Sequence, residues 1–299
     1  MSSPDVSVCM VTHNTQEVLR ASLVSLFQSN GQSTFEVSIV DNHSKDGTLE
    51  MLRSEYPQIQ LICLDHNAGY THPMNLALRA ARGRYLMQLN PDTLVSPGML
   101  DGLLAYMDTH PEVGIVTPKV INQNGTLQKQ CRRSDARPWD VFTYFTGLSH
   151  LFPKSRTFAG YLMTYRGENE IHEAEAVSGS CMLIRRAVVD QIGYLDEVFF
   201  AYQEDTDFCF RARHAGWKIV YMPKVSLIHY GGQGGSRVHP YRGILQWHRS
   251  YYLYYHKHLA KDYFFLVNWV MDVFIGLKLV ASLAVNLFRK EKIVGSRKP

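Results

Sequence analysis

The sequence predicts an α/β fold: an open, mainly parallel sheet with helices on both faces, followed by an amphipathic helical extension at the C-terminus. Three observations carry this. Short β-branched runs alternate with helix-period segments over residues 6–89, the pattern of parallel strands joined by helical crossovers. Polar residues stand directly after these runs, where ligands bind on such sheets. A helix and strand at 205–221 then frame an acidic cluster, Glu204-Asp205-x-Asp207.

The first strand is the apolar run Val6 to Thr12, whose β-branched residues suit a buried pleated surface. His13-Asn14-Thr15 follow, then a helix over 16–27 with Val18, Leu19, Leu23, Leu26 and Phe27 at amphipathic spacing. A strand over 35–40 closes on Asp41-Asn42-His43-Ser44-Lys45-Asp46-Gly47-Thr48. A helix over 49–55, a strand over 59–64, the turn Asn67-Ala68-Gly69 and a helix over 74–81 come next. The strand over 84–89 ends in Asn90-Pro91-Asp92. Thr12-His13-Asn14, Asp41-Asn42, Asn67 and Asn90-Pro91-Asp92 therefore converge on one edge of the sheet. A single Asp at a strand end is ordinarily a turn or helix cap. Four such groups in register are not explained by capping alone. The sequence has no G-x-G-x-x-G and no G-x-x-x-x-G-K-[ST] loop, which argues against a dinucleotide or P-loop site. Without a glycine cradle a bound diphosphate needs another counter-charge, and a metal ion on Asp92 would supply it.

Residues 205–214 read as a helix, with acidic residues favoured at its start by the unpaired N–H groups of the first turn. Gly216 ends it, and 217–221 read as a strand. A helix of roughly ten residues descends about 15 Å and a strand of five or six climbs back about 17–20 Å, which places His229 at the level of the carboxylates. Two readings follow. The carboxylates take a proton and His229 binds a metal or phosphate, or they are capping charges and His229 is a hydrogen-bonded loop residue.

Composition bounds the function. A 299-residue chain that is 45% hydrophobic and 12% aromatic builds a packed core and is not disordered. A net charge of +4, without basic runs interleaved with stacking aromatics, argues against nucleic acid as a partner. The five cysteines are scattered, with no C-x-x-C pair, and read as reduced thiols rather than a zinc site. MSSPDVSVCMVT lacks the charged and apolar regions of a signal peptide; the expectation is a protein on the cytoplasmic side.

The ordered motifs Val8-x-x-Val11-Thr12-His13-Asn14, Val40-Asp41-Asn42-x-Ser44-x-Asp46-Gly47-Thr48, Asn67-x-Gly69, Leu89-Asn90-Pro91-Asp92, Gly179-Ser180-x-Met182-Leu183-x-Arg185-Arg186, Glu204-Asp205-x-Asp207-Phe208-Cys209-x-Arg211 and Ala215-Gly216-Trp217 resemble family 2 of the glycosyltransferases, in its rhamnosyltransferase-like branch. The resemblance covers about residues 5–236. It implies a GT-A fold and sugar transfer from a nucleotide diphosphate donor, with inversion at the anomeric carbon. It implies further that Asp41, Thr12, Asn14, Asn67 and Asn90 bind the donor, and that Asp92 and His229 hold Mg²⁺ or Mn²⁺. Asp205 would be the catalytic base, with Glu204 its rival by adjacency and Asp207 a helix-start charge. Asn90 stands where the family's D-x-D motif has its first acidic residue. Thr71-His72-Pro73 replace the usual small residues after Gly69, and the glycine-rich run 231–235 reads as a lid or a linker. The branch suggests deoxythymidine-diphosphate rhamnose as donor. A sugar nucleotidyltransferase would carry a G-G-x-G-T-R-like loop where Thr12-His13-Asn14-Thr15 stands. A non-catalytic nucleotide-sugar or polysaccharide-binding protein would not need Asp92 and Asp205 together.

Residues 131–170 combine Arg132, Arg133, Arg137, Trp139, Phe142, Tyr144 and Phe145 without periodicity. Such residues suit sugar rings and phosphates, and equally an ordinary packed excursion. The expected division is a catalytic domain over 1–238 and an extension over 239–299. Within the extension, 263–288 is apolar except for Asn268, Asp272, Lys278, Ser282 and Asn286. At about 100° per residue these fall within an arc of roughly 120°, and basic residues follow from Arg289. Three placements fit: a helix lying in the membrane interface through 263–292, one packed on its own catalytic domain or in a homodimer, and a membrane span, which Asp272 and Lys278 make expensive. A peripheral or monotopic place on the cytoplasmic face suits a lipid-linked saccharide acceptor in cell-surface glycan synthesis.

Overall fold

The computed structural model describes residues 3–29, 31–232 and 240–288. The first half runs β1 (Val6–Thr12), α1 (Gln16–Gln28), β2 (Phe35–Asp41), α2 (Thr48–Glu55), β3 (Gln60–Cys63), α3 (Thr71–Ala80) and β4 (Tyr85–Leu89). Next come β5 (Thr93–Val95), α4 (Met99–Thr109), β6 (Val113–Ile121), β7 (Arg132–Arg133), α5 (Pro138–Phe145) and α6 (Leu148–Leu151). The chain continues through β8 (His172–Glu173), β9 (Ala176–Val177), β10 (Cys181–Arg185), α7 (Arg186–Ile192), α8 (Glu204–His214) and β11 (Lys218–His229). The extension holds α9 (Pro240–Tyr254), a π-helical turn (Tyr255–Leu259) and α10 (Phe265–Leu287).

Among the described residues the main sheet has the order β3-β2-β1-β4-β10-β6-β11-β5, with β8 also on β11. β1, β2, β3, β4, β6 and β11 run one way, and β10, β5 and β8 run against them. The sheet is thus mixed but mostly parallel, as expected. β1 is buried along its whole length, as a central parallel strand with both faces covered must be. Its alternation splits the core: Val6, Val8 and Met10 pack with Leu19, Leu23 and Leu26 of α1, while Cys9 and Val11 face Met74, Ala77 and Leu78 of α3. Register then fixes the edge, since Thr12 lies opposite Asp41, Asp41 opposite Cys63, and His229 opposite Thr93.

Three boundaries differ from the sequence expectation. Helix α3 begins at Thr71 rather than 74, because Pro73 falls in the first turn, where a missing N–H leaves no helical bond unmade. Helix α8 begins at Glu204, one residue early. Strand β11 has twelve residues and ends on His229; Pro223 does not stop it, because a register shift between Met222 and Ser226 absorbs the proline as an irregularity. His229 therefore reaches the site by pairing with Thr93, next to Asp92, and not through a short strand balancing a helix.

The extension packs on the sheet domain. Tyr251, Tyr254, Tyr255 and Leu259 share a core with Ala136, Val141, Phe199 and Phe210. Beneath them Asp207 is fully buried and accepts hydrogen bonds from Arg211 Nε (2.8 Å), Lys257 Nζ (2.5 Å) and His258 Nε2 (2.7 Å). The helix-start charge foreseen at Asp207 is thus also the tie that joins α8 to the extension. The polar stripe of α10 faces the protein. Asn268 Oδ1 accepts from Tyr255 Oη (2.6 Å), Asp272 meets His256 (2.8 Å), and Lys278 lies over the rings of Trp247 (3.9 Å) and Phe145 (4.5 Å). The apolar face is turned outward, with Trp269 63% and Leu277 66% exposed. The basic residues from Arg289 onward and Gly234 and Gly235 of the glycine run lie outside the described residues.

Candidate active site

A cleft of about 1080 Å³ opens beyond the ends of β1, β2, β4 and β11 and is closed on its far side by α9 and α10. That volume is at the top of the range of roughly 300–1,000 Å³ for sites that hold one small molecule, so donor and acceptor can be accommodated together. Beside the ends of β1 and β2 the walls are Val11, His13, Thr15, Asn42, Asn67 and Gly69. Past the end of β1 the left-handed turn at Asn14 leaves His13 and Thr15 on the cleft wall with Val11 and carries Asn14 to the Lys45 N–H instead.

Of the five donor-binding residues expected, Asn67 and Asn90 line the cleft and Thr12, Asn14 and Asp41 do not. Thr12 is buried and its Oγ1 bonds Thr15 Oγ1 at 2.7 Å. Asn14, in the left-handed region at φ 52°, accepts the Lys45 N–H with its Oδ1 at 2.7 Å. Asp41 is fully buried; its Oδ2 accepts the Ser44 N–H at 2.9 Å, and its Oδ1 has no partner among the described residues. Thr12 and Asn14 thus tie the loops behind the cleft, while Asp41 keeps one carboxylate oxygen without a partner among the described residues. Asn42, outside that set, ties the neighbouring turn: its Nδ2 donates to Gly69 O (2.5 Å) and its Oδ1 accepts the Ala68 N–H (2.9 Å). Gly69 sits at φ 89° directly against the Phe200 carbonyl, an approach that a Cβ would block.

The next wall is Asn90, Asp92 and His229. Gln128 Oε1 accepts from His229 Nδ1 at 2.8 Å, which fixes the ring and leaves the Nε2 lone pair facing Asp92 Oδ1 at 3.1 Å and Asn90 Nδ2 at 3.3 Å. A carboxylate oxygen beside an imidazole lone pair, with the other ring nitrogen held by an amide, is a donor set for a cation. Among the described residues no cluster of three or more His, Cys, Asp or Glu side chains forms a closed metal cage. The pair therefore suits a Mg²⁺-type ion that takes its remaining oxygens from water and a substrate diphosphate. Asn90 completes a small network, its Oδ1 accepting from Tyr70 Oη (3.2 Å), which in turn accepts from Gln88 Nε2 (3.0 Å).

Glu204 and Asp205 stand across the cleft. Tyr202 and Gln203 precede them in the left-handed region, at φ 68° and 64°, a costly pair of conformations for residues with side chains. Asp205 Oδ1 accepts from Arg133 Nη2 (2.8 Å), Thr206 N–H (2.7 Å) and Thr206 Oγ1 (3.1 Å). Its Oδ2 accepts the Gly179 N–H (2.9 Å). Gly179 makes that bond possible, because a Cβ there would strike Gln88 Nε2. The carboxylate is thus oriented from two sides, and Oδ2 keeps a lone pair for another donor. Glu204 differs: burial first, and the charge of Asp205 second, push its carboxyl up to about 8, so it stays protonated near neutrality. Its Oε2 is buried without a partner among the described residues. Gln128, Arg133 and Gly179 orient the functional groups but lie far from them in sequence; only the motif around Gly179 and the unassigned arginines after 131 hinted at them.

The family model for glycosyl transferase family 2 matches residues 7–193. The chain belongs to that family. As a family 2 glycosyltransferase it is 26% identical to the N-acetylglucosaminyl-diphospho-decaprenol L-rhamnosyltransferase of Mycobacterium tuberculosis, over 97% of this chain and 98% of that one. It is 28% identical to the O-antigen biosynthesis protein RfbC of Myxococcus xanthus, over 76% of this chain and 17% of the other. S. aureus TarS 1–349 in complex with UDP-GlcNAc superposes with a TM-score of 0.58 at 19% identity, covering 86% of this glycosyltransferase and 67% of TarS. GalNAc-T7 with UDP, GalNAc and Mn²⁺ gives a TM-score of 0.61 at 16% identity, covering 85% and 48%. These two likenesses establish the GT-A fold for this family 2 glycosyltransferase.

Proposed function

We propose that this glycosyltransferase moves a deoxysugar, rhamnose, from its nucleoside diphosphate to a hydroxyl of a lipid-linked saccharide, with inversion, at the cytoplasmic face of the membrane. The observation that carries the chemistry is Asp205: a carboxylate oriented by Arg133, Thr206 and the Gly179 N–H, with a lone pair left on Oδ2. Displacement at an anomeric carbon needs a base on the face opposite the leaving group. Asp205 takes the acceptor's hydroxyl proton as the new glycosidic bond forms and the diphosphate departs, a role worth about 10²–10⁴ in rate. Glu204, protonated beside it, acts as a hydrogen-bond donor and not as a base. Asp41, with its free Oδ1 at the end of β2, is the carboxylate for the nucleoside, and Asn67 and Asn90 bind the donor from the cleft wall.

Asp92 and His229 would hold one Mg²⁺ or Mn²⁺ ion, which supplies Lewis-acid neutralisation of the departing diphosphate. Gln128 sets the imidazole tautomer and Asn90 steadies Nε2. The choice of rhamnose and of a lipid-linked acceptor is supported by the end-to-end match to the mycobacterial rhamnosyltransferase. The membrane reading is supported by α10, which buries its polar stripe and presents Trp269, Val273, Leu277 and Val280 outward.

The test is release of nucleoside diphosphate from a panel of nucleotide sugars with a membrane lipid extract as acceptor, with and without Mg²⁺ or Mn²⁺. Metal-dependent release from deoxythymidine-diphosphate rhamnose alone is expected. Release from a different donor would replace the sugar, and binding without release from any donor would overturn transfer in favour of a non-catalytic sugar-nucleotide binder.

A further inference from the structure

The half of the cleft formed by α9 and α10 is not used by the chemistry above, and it gathers polar atoms that have no partners. Lys278 Nζ lies 3.9 Å from the Trp247 ring centre and 4.5 Å from that of Phe145. A lysine on an outward-facing apolar helix can reach water by extending its stem; this one instead faces the protein. Burial lowers its ammonium to about 8, still a cation near neutrality. No ion pair to Lys278 forms among the described residues. His248, 4% exposed, spends Nδ1 on Ile244 O (2.8 Å) and has no partner for Nε2, while its ring lies 4.8 Å from that of Trp247. Asn286, two helical turns beyond Lys278 on the same stripe and 2% exposed, has partners for neither Nδ2 nor Oδ1 among the described residues. All three residues line the cleft. Buried polar atoms are nearly always bonded, so an unpaired cation with unpaired polar atoms on the same cleft wall describes a ligand's footprint. A cation with an imidazole on the neighbouring ring selects an oxyanion, and phosphate fits best.

We propose that Lys278, with His248 beside the shared Trp247 ring, forms the binding site for the diphosphate of a lipid-borne acceptor, which enters the cleft from the apolar outer face of α10, while Asn286 lies about 12 Å further along the same helix. This deepens the functional reading above and rests on it for the acceptor's identity. The cleft that this site lines also holds Asp205 for the reacting hydroxyl, and the helix that carries Lys278 turns apolar side chains outward for the hydrocarbon. Trp247 and Phe145 hold the ammonium in place through their ring faces, so the cation is set before the ligand arrives.

The test is binding of farnesyl diphosphate in detergent micelles, followed by tryptophan fluorescence, to the full chain and to Lys278→Gln and Lys278→Arg. Farnesol, inorganic diphosphate and UDP are the comparison ligands. Loss of one charge-assisted hydrogen bond should weaken farnesyl diphosphate by about tenfold or more in Lys278→Gln, leave farnesol and UDP unchanged, and be largely restored in Lys278→Arg. Equal affinity of Lys278→Gln and wild type for farnesyl diphosphate would overturn the site, as would farnesol binding the wild type as tightly as its diphosphate. Parallel weakening of UDP would reassign the cation to the donor. Inorganic diphosphate binding as tightly as farnesyl diphosphate would overturn the lipid-borne source. Because binding is read without turnover, failure of the rhamnosyl-transfer reading in the donor panel and failure of this site are separate results.

Discussion

Two adjacent carboxylates begin α8, and their surroundings differ. Asp205 is bonded from Arg133, Thr206 and Gly179, whereas the Glu204 Oε2 is buried with no partner among the described residues. Asp205→Asn should therefore lower turnover by about 10²–10⁴ with donor affinity unchanged, and Glu204→Gln should keep turnover within a few-fold; initial rates and donor titration on the same preparations check both. Glu204 also makes a pH prediction. Its carboxyl rises from 4.5 to about 8 on folding, so the folded chain holds that proton more tightly than the unfolded one. The resulting stability is complete below the unfolded value and is lost as pH rises through the folded one. Glu204→Gln cannot lose it, so its Tm should match wild type near pH 4.5 and exceed it near pH 8, which a thermal scan at both values checks. The pair was legible in the sequence as a position, and the motif resemblance favoured Asp205. The physical ranking was not legible, because Arg133 lies 72 residues away and Gly179 lies 26 away. Thr12 and Asn14 do not line the cleft because Thr15 and Lys45 hold them, tertiary partners that a motif does not register.

Elements were legible wherever periodicity and breakers agreed, as in β1, α1 and β2. They were misread at the two prolines, where position outweighs residue type: Pro73 sits in a first turn and Pro223 in a strand irregularity. The docking of the extension on α8 left no local signal, since Lys257 and His258 reach Asp207 from 50 and 51 residues away. Burial alone would raise the Asp207 carboxyl, but the bonds from His258 and Lys257 and the charge of Arg211 hold it at about 2, below its ordinary 3.8. A lowered carboxyl contributes stability above its unfolded value and loses it as pH falls through the folded one. The tie should therefore weaken between about pH 4 and pH 2, at a cost on the order of 2 kcal/mol. Asp207→Asn leaves Lys257 with Asp196 and Arg211 with the Ile192 and Tyr194 carbonyls, so a loss on the order of 2 kcal/mol at neutral pH is expected, together with loss of wild type's extra stability between pH 4 and pH 2. Urea unfolding across that pH series measures both, and cleavage within α9 by a low dose of protease should appear in the variant first.

At the scale of the molecule, α10 inverts the usual arrangement of a surface helix. Its 23 residues are long and apolar enough to cross a membrane by length and composition, yet Asn268 and Asp272 are bonded to the protein and Lys278 lies against the Trp247 and Phe145 rings. A spanning helix would have to tear those contacts apart and carry Asp272 and Lys278 into hydrocarbon. A helix lying at the surface keeps them and places Leu266, Trp269, Val273, Leu277 and Val280, one continuous stripe at three- and four-residue spacing, against lipid. The exposed rings of Trp139, Phe142 and Phe152 on and after α5 and α6 extend the apolar surface, linked to α10 through the Phe145–Phe274 contact at 5.8 Å. The full chain should therefore partition onto phosphatidylglycerol-containing vesicles, and Trp269→Glu combined with Leu277→Glu should lower that partitioning by about tenfold or more, given the cost of placing charge in the apolar boundary. Both positions lie outside the cleft wall, so transfer to a short-chain, water-soluble acceptor should persist in the double variant while transfer to acceptor embedded in vesicles falls. Sedimentation of vesicle-bound protein and the two transfer rates read this directly. If wild type stays off vesicles and instead runs as a dimer that the double variant splits, the outward stripe is covered by a second copy of the chain and the membrane-surface reading is wrong.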